Sequence, residues 1–418
     1  LVQETEKEHE DILEQADETD AMFGELYSWY LRNPEYRSRV QKLVQSAFAG
    51  KPEDIISQSV AKALYGEVSP YSATRLERFA ACAFAHFLQY GMKLTERVEY
   101  EFKPMDMGNV MHEALESFAE EVRKRGMKWT ELTEQERNEI ADRCLDNIVA
   151  DYGNTVLKSS ARNEYMIERT RRILRRTVWA LQKQLEQGEF QPEGFEVTFG
   201  GGRIDRVDIM EDQNKVYVKV IDYKTGNTSF DLVYLYHGLQ LQLMIYLDGA
   251  LRVEQKKYPD KEIIPAGVFY YNIKDPMIQE KIDADVEAVS AGLMKELKMN
   301  GLAQADPELV YRMDSSLGSI PVAFNKDGSF RKNSSVADRT QFAVLGRYVR
   351  TKIEKIRSSI LEGDAEVSPY ELGKKNACTY CPYMTVCGFD RRLSGYEFRR
   401  LKNFSDEELW KAFDREAE

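Results

Sequence analysis

The spacing of hydrophobic residues changes along the chain, and the predicted elements change with it. Up to about residue 190, apolar side chains recur every three or four positions, as on one face of a helix. One predicted helix follows Ser69, and a second follows Gly108. The apolar face of the first consists of Leu76, Phe79, Phe84 and Phe87. The polar stretch 130–188 predicts two or three further helices.

Segments rich in Val, Ile, Phe and Tyr then predict strands. Three such segments, separated by glycines and by a polar turn, are 195–199, 203–210 and 215–223. Later elements are a helix around 238–253, a strand at 266–272, and helices at 280–300 and 337–362. This order predicts an α/β fold, in which a small mixed sheet carries large helical additions.

Composition narrows the classes of protein. The chain has 418 residues, 43% hydrophobic and 31% charged, as in ordinary soluble globular proteins. No apolar run reaches the roughly eighteen residues of a membrane span, so no membrane association is expected. A net charge of −12 argues against a protein that coats nucleic acid nonspecifically, because phosphate contacts need Lys and Arg. It does not exclude a nuclease, whose metal site requires carboxylates.

Asp205, Asp222 and Lys224 lie on two successive predicted strands, the last two as Asp-x-Lys. Side chains two positions apart on a strand share a face, so Asp222 and Lys224 point the same way. If the hairpin turns after Asp212, Asp205 lies opposite Val220 and on the same face as Asp222. The sequence therefore predicts that both carboxylates and the lysine share one face of the hairpin.

Two carboxylates on one face can converge on one divalent cation. Carboxylate oxygens bind Mg²⁺ or Mn²⁺, which activates a water and neutralises charge on a phosphate. A neighbouring lysine can orient that water or stabilise the transition state. Asp-x-Lys is common, however, and the alternative is an ordinary hairpin with surface Asp and Lys. Asp208, three positions from Asp205, would face the other side, where a salt bridge or solvent is expected.

Helical residues supply further candidates. Gln242 and Tyr246 are four positions apart and share one helical face. His112 lies on the helix that follows Gly108, and the chain has only four histidines. Taken alone, each of these residues is more often structural than functional.

Cys378, Cys381 and Cys387 form a dense thiol group, and Cys82 is the natural fourth ligand. Zinc ribbons usually supply two Cys pairs, whereas this pattern is one plus three. Iron–sulfur clusters accept uneven spacing, so we expect a 4Fe–4S cluster rather than zinc, acting as a staple across the domain. Cys144, in the middle of a helix, is expected to be a small buried residue. Five cysteines are too few for a disulfide scaffold and favour a reducing cytoplasm.

An arginine-rich helix precedes the strands. Arg169, Arg172 and Arg176 fall on one face, with Arg171 and Arg175 beside it. Such a face is usually solvated and paired with nearby carboxylates. The alternative is a phosphate track or a docking face for a partner protein.

These motifs occur in an order that resembles a known family. From about Leu64 to Leu401 the sequence is similar to the C-terminal nuclease domain of AddB, one of the two proteins of bacterial AddAB helicase–nucleases, which process double-strand breaks. The segments that carry the resemblance are SPYSATRLERFAACAFAHFL, MGNVMHEALESF, GGRIDRVD, VIDYKTG, LQLQLMIYL, AGVFYYNI and NACTYCPYMTVCGFD. One departure is Ala83, where the family usually has proline after the first cysteine.

The resemblance implies a restriction-endonuclease-like, PD-(D/E)XK fold closed by an iron–sulfur cluster. It implies a nuclease site made of His112, Asp205, Asp222, Lys224, Gln242 and Tyr246. The metal ligands that it implies are His112, Asp205, Asp222 and the backbone carbonyl of Tyr223. The cluster ligands that it implies are Cys82, Cys378, Cys381 and Cys387.

The resemblance also implies a DNA exonuclease that acts on single-stranded ends and cuts the 5′-ended strand. Its partner would be AddA, which carries the ATP motor in this family. The present sequence contains no G-x-x-x-x-G-K-[ST] loop, so no Walker-type ATPase site is expected in it.

Two other classes of protein share parts of this pattern. CRISPR-adaptation exonucleases share the one-plus-three cysteines, but they are about half as long and lack the helices at 115–190. A non-catalytic docking module usually loses one of the three site residues on the strands, and none is lost here. The expected organisation is a helical remnant of an upstream region at 1–66, the nuclease domain at 67–400 and a helical tail at 401–418.

Overall fold

The chain divides into two compact units. The computed structural model describes residues 18–47, 55–66, 72–95, 104–151, 160–200, 202–279, 285–393 and 395–417. One unit comprises residues 1–54 and 389–397, and the other 55–388 and 398–418. The first contains α1 (Glu18–Arg32) and α2 (Pro34–Ala47), where Trp29 stacks on Tyr36 with ring centroids 6.2 Å apart.

The second unit contains the strands and the other described helices. In chain order, the helices are α3 (Gln58–Tyr65), α4 (Ala73–Ala81), α5 (Ala83–His86), α6 (Pro104–Lys124), α7 (Glu134–Asp151), α8 (Ala161–Glu186), α9 (Leu232–Tyr236), α10 (Gln242–Lys257), α11 (Val286–Glu296), α12 (Pro307–Met313), α13 (Arg339–Glu362), α14 (Met384–Cys387) and α15 (Asp406–Ala417). A π-helical turn, Phe87–Gly91, continues α5, and a 3₁₀ turn, Trp129–Glu131, precedes α7. Among the described residues, no helix is both long and apolar enough to cross a membrane.

A six-stranded mixed sheet forms the centre of this unit. Its strands are β1 (Gln191–Phe199), β2 (Gly202–Asp212), β3 (Lys215–Lys224), β4 (Glu262–Asn272), β5 (Asn300–Gln304) and β6 (Val336–Ala337), side by side in that order. The pairs β3–β4 and β5–β6 are parallel, and the other neighbours are antiparallel. The predicted small mixed sheet with large helical additions is therefore confirmed. A separate small sheet contains β7 (Tyr370–Leu372), β8 (Lys375–Asn376) and β9 (Arg399–Arg400).

The β2–β3 hairpin has a register different from the expected one. Its two-residue turn is Gln213 and Asn214, and Val220 pairs with Val207 instead of lying opposite Asp205. Gln213 has a φ of 47°, a left-handed conformation that such tight turns require. The pairing is displaced by two residues, and an even displacement leaves the paired residues from Arg206 to Asp212 on their predicted faces.

Helices cover both faces of the sheet. One core contains residues of α6, α7 and α8 together with Ile221 and Tyr223 of β3. The other contains residues of α10 and α13 together with Val218 and Val220. Successive β3 side chains thus enter opposite cores, and Asp222 belongs to the face that α10 covers. Strands buried on both faces are typical of a sheet enclosed by helices.

The predicted single helix after Ser69 is wrong. Ser69 lies outside the described residues, and Ser72 caps α4 by accepting a hydrogen bond from the Arg75 N–H. Cys82 is extended, with φ −166° and ψ 118°, and separates α4 from α5. Immediately after it, the Phe84 N–H donates to the Glu366 carbonyl at 2.9 Å. This long-range hydrogen bond is invisible to local helical periodicity.

Asp208 takes the predicted opposite face and lies in a buried ion triad. Its carboxylate binds Arg206 at 2.5 Å and Lys219 at 3.0 Å, and all three residues are buried. The Arg206 guanidinium also lies over the rings of Trp129 and Phe195. The predicted salt bridge of Asp208 is confirmed.

Three arginines of α8 form ion pairs. Arg171 binds Asp142 and Asp146, and Arg175 also binds Asp142. Arg172 reaches a further carboxylate on another element, Asp275, at 2.6 Å. This pairing supports the ion-paired interpretation for Arg171, Arg172 and Arg175, whereas a phosphate track along Arg169 and Arg176 stays an untested alternative.

Candidate nuclease site and cysteine group

Asp205 and Asp222 lie beside each other where the β2–β3 pairing ends, because Arg206 pairs with Ile221. Asp222 is 1% exposed and Asp205 8%. Burial, and then the charge of Asp222, raise the pKa of Asp205. Burial also raises the pKa of Asp222, against the attraction of Lys224. Because the two carboxylates are buried side by side, ionisation of both is unfavourable. A cation bound between them would offset this cost.

His112 approaches this pair from α6. Its Nδ1 lies 3.3 Å from Asp205 Oδ2, and the same oxygen accepts the Tyr223 N–H at 2.7 Å. Burial opposes protonation of His112, but a hydrogen bond with Glu196 and the charges of Asp205 and Glu196 leave its pKa raised. The acidic surroundings therefore favour either a proton on the imidazole or a metal ion in place of that proton.

Glu196 is a further member of this group, and the sequence pattern did not predict it. One ligand atom each from His112, Glu196 and Asp205 lies within 4.8 Å of the others. Glu196 also pairs with Arg203, and its φ of 49° is unusual for a residue within a strand. The sequence feature that could have indicated Glu196 is an acidic residue placed between Phe195 and the apolar end of β1. Its place beside Asp205 depends on the pairing of β1 with β2.

Lys224 is held by a chain of polar contacts that leads to α10. Its Nζ lies 2.6 Å from Asp222 Oδ2 and donates to Gln242 Oε1 at 2.7 Å. Gln242 Nε2 in turn donates to the Tyr246 hydroxyl at 2.9 Å. The Lys224 side chain remains 28% exposed, so its ammonium can meet a ligand from solution. The structure thus brings together all the candidate site residues of the hairpin, of α6 and of α10.

The donor set suits a divalent cation. Carboxylate oxygens are the preferred ligands of Mg²⁺ and Mn²⁺, and an imidazole nitrogen is compatible with Mn²⁺. Tyr223, the remaining candidate ligand, is buried directly after Asp222, and its ring meets the His112 ring edge-on at 6.1 Å. Its backbone is fixed by the N–H bond to Asp205 described above.

The four candidate cluster cysteines also approach one another. Cys82 and Cys381 belong to one small apolar cluster. Burial and the charges of Cys82, Cys381 and Cys387 raise the pKa of Cys378 to about 12. Burial raises the pKa of Cys82, while hydrogen bonds from backbone amides, including that of Ala85, act against it. Each of these thiols disfavours the ionisation of its neighbours, and backbone amides favour a thiolate at Cys82. Both features are compatible with a metal centre bound by thiolates.

Cys144 has a different environment. It is buried in the core between α6 and α7, where it has a hydrogen bond with Ser117. The five cysteines, all of them among the described residues, form no disulfide. The prediction that Cys144 is a small buried residue is confirmed.

Comparison with known proteins assigns the class to which this fold and site belong. The model of the PD-(D/E)XK nuclease superfamily matches residues 70–388. The chain therefore belongs to that superfamily, and the match extends from α4 to the end of the cysteine group.

Individual relatives are similar over nearly the whole chain. A protein from Lachnoclostridium phytofermentans, named as a subunit of an ATP-dependent helicase/deoxyribonuclease, is 41% identical over 96% of this chain. Proteins of the same name from a Thermoanaerobacter species and from Clostridium acetobutylicum are each 33% identical over 96% of it. The chain spans only 36% to 37% of the length of these relatives.

Proposed function

We propose that this chain is the nuclease domain of an AddB-type protein, a DNA exonuclease that hydrolyses phosphodiester bonds with Mg²⁺ or Mn²⁺. The observation that carries the proposal is the convergence of Asp205, Asp222 and Lys224 at one end of the β2–β3 hairpin. In a PD-(D/E)XK chain, this is the arrangement expected for a metal-dependent nuclease. Intact site residues favour an enzyme over a docking module.

His112, Asp205, Asp222 and the Tyr223 carbonyl would hold the cation. When bound, the cation supplies an activated water and offsets charge on the scissile phosphate. His112 must give up its proton to serve as a ligand, and the raised pKa of Asp205 means that metal binding also competes with a proton there. Metal affinity should consequently rise with pH.

Lys224 would stabilise the transition state. Its ammonium lies between Asp222 and the Gln242 amide, so it cannot turn away from the metal side of the hairpin. From there it can donate to the water or to a phosphoryl oxygen as negative charge develops. Tyr246 holds the Gln242 amide in the orientation that presents its oxygen to Lys224.

The proposed substrate and partner rest on the resemblance to AddB, and the names of the relatives support them in part. We propose single-stranded DNA ends as substrate, cutting of the 5′-ended strand, and a role in recombinational repair of double-strand breaks. The relatives are named as one subunit of a helicase/deoxyribonuclease, which supports a heterodimer in which an AddA-type protein provides the ATP motor. Cysteines that form no disulfide are compatible with the reducing, cytoplasmic location that we propose.

The cysteine group would hold one 4Fe–4S cluster. Cys82 lies at the beginning of the matched region and the other three ligands, Cys378, Cys381 and Cys387, lie at its end. A cluster on these thiols would close a very long loop and so stabilise the folded domain. Iron analysis of anaerobically purified protein tests this proposal, and zinc without iron would refute it.

Digestion of single-stranded DNA without ATP tests the nuclease proposal. Wild-type protein should cut only when Mg²⁺ or Mn²⁺ is present, and Asp222→Ala should remove that activity. Lys224→Ala should lower it by about 10² to 10³, the usual effect of losing one transition-state donor. Lys215→Ala, at the exposed start of the same strand, is the matched control and should cut normally. Substantial cutting by Asp222→Ala would contradict the assignment.

A further inference from the structure

We propose that Glu77 is a positioning residue of this nuclease site. It holds the N-terminal end of α10 and, through it, Gln242 and Lys224. The inference rests on the proposed function. It adds to the site a residue from α4, an element that contributes no ligand to the metal.

The first N–H groups of α10 need an acceptor from elsewhere in the chain. Leu241 occupies the N-cap position and makes no side-chain cap hydrogen bond. Leucine is a poor N-cap residue, because the first N–H groups of a helix require an oxygen acceptor. Glu77 Oε1 supplies it, accepting the Leu241 N–H at 2.7 Å and the Gln242 N–H at 3.0 Å. A carboxylate remote in sequence therefore caps α10.

Gln242 connects the capped end of α10 to Lys224 of the candidate site. The N–H of Gln242 is bound to Glu77, while its side chain joins Tyr246 to Lys224. A shift of the first turn of α10 would move the amide that holds the Lys224 ammonium. The charges of Lys224 and Asp222 both act on Glu77, which places its carboxylate close to the reacting end of the hairpin.

Glu77 and the first cysteine of the cysteine group are joined by α4, whose Leu76 and Phe79 pack in the same core as α10 and α13. Glu77 lies in the middle of α4, and Cys82 is the residue that ends that helix. Because α4 has only nine residues, a displacement of Cys82 is transmitted to Glu77 by a rigid element. The cysteine group and the lysine of the nuclease site are thus connected through α4, Glu77 and the first turn of α10.

The test measures kcat, KM for single-stranded DNA, and Mn²⁺ affinity by electron paramagnetic resonance on holoprotein. Glu77→Ala should lower kcat about tenfold or more, since a misplaced catalytic group commonly costs roughly 10- to 100-fold. KM and Mn²⁺ affinity should stay within about twofold of wild type, because no metal ligand is touched. Glu77→Gln should recover most of kcat, because its amide oxygen can accept the same two N–H groups.

A double variant separates positioning from general stability. In a Lys224→Ala background, Glu77→Ala should cause almost no further loss of kcat, because Glu77 acts through Lys224. The control is Glu254→Gln, which alters another buried carboxylate of α10, paired with Lys257. It should leave kcat unchanged.

Three results would overturn the inference. They are an unchanged kcat in Glu77→Ala, a multiplicative loss in the double variant, and an equal loss in Glu254→Gln. If Glu77→Ala does not fold, Glu77→Asp replaces it; this variant keeps the charge but shortens its reach, and an unchanged kcat would again overturn the inference. An inactive wild-type protein would instead contradict the proposed function.

Discussion

Replacement of Glu77 by glutamine should stabilise the protein, and the gain should grow with pH. Burial raises the pKa of the Glu77 carboxyl from 4.5 to about 7, despite opposing hydrogen bonds from the Gln242 and Leu241 backbone and the charge of Lys224. A carboxyl whose folded pKa is raised contributes most to stability below its unfolded pKa. That contribution is lost as the pH rises from about 4.5 to about 7.

The size of the effect follows from the shift. A shift from 4.5 to about 7, at 1.36 kcal/mol per unit, corresponds to about 3 kcal/mol of unfolding free energy at pH 8. Roughly 2 to 3 kcal/mol of it develops between pH 5 and pH 8. The charged groups that act on Glu77 are Lys224 and Asp222. Its own charge in turn helps to raise the pKa values of Tyr246 and Tyr270, which contribute no negative charge in this range.

Urea unfolding at about pH 5 and about pH 8, with chelator present, measures the effect. Glu77→Gln keeps the acceptor oxygen, so the difference from wild type should be small at pH 5 and large at pH 8. Glu136→Gln is the control of opposite sign, because hydrogen bonds with Thr133 lower the pKa of Glu136. That variant should be less stable than wild type at pH 8. An equal difference between Glu77→Gln and wild type at both pH values would refute the reasoning.

Two further predictions concern stability. Cys82→Ala should lose iron and several kcal/mol of stability, because breaking a structural metal site costs folding free energy. Cys144→Ala should retain its iron and melt much closer to wild type; equal melting temperatures for the two variants would contradict the staple. Arg171→Glu should lower the melting temperature, because Asp146 would lose its partner, Asp142 would keep only Arg175, and the new carboxylate would repel both. The salt dependence of its DNA binding should match wild type, and a flattened dependence would support a phosphate track instead.

The hairpin was predictable because the face of a strand residue depends only on whether its position is odd or even. The expected pairing of Asp205 with Val220 was wrong by two residues, yet Asp205 and Asp222 still lie beside each other, directly after the pair Arg206 and Ile221. The face of Lys224 could be predicted without knowing the strand pairing, since Lys224 lies two positions from Asp222 on the same strand. Local periodicity thus predicted the central part of the site.

Features that depend on distant segments were not predictable from local pattern. The interruption at Cys82 accompanies a hydrogen bond between Phe84 and Glu366. Glu196 joins the site through the pairing of β1 with β2, and Glu77 through an N–H group far along the chain. β5 and β6 were missed because they are short and lack a clear alternation. In each case the tertiary contact, and not the propensity of the segment, decides the outcome.

The buried ion triad of Arg206, Asp208 and Lys219 helps the hairpin to fold without involving the candidate site. Arg206 and Asp208 pair within β2, but Lys219 reaches Asp208 only in the observed alignment of β2 with β3. A slip of one residue would turn Lys219 to the other face and leave its charge unpaired. Asp205 and Asp222 take no part in that pairing. A relative that had lost both candidate site carboxylates could therefore keep this hairpin, its alignment and its core. An intact fold would then say nothing about cutting, and only the candidate site residues themselves, among them His112, Asp205 and Asp222, would distinguish an enzyme from an inactive copy.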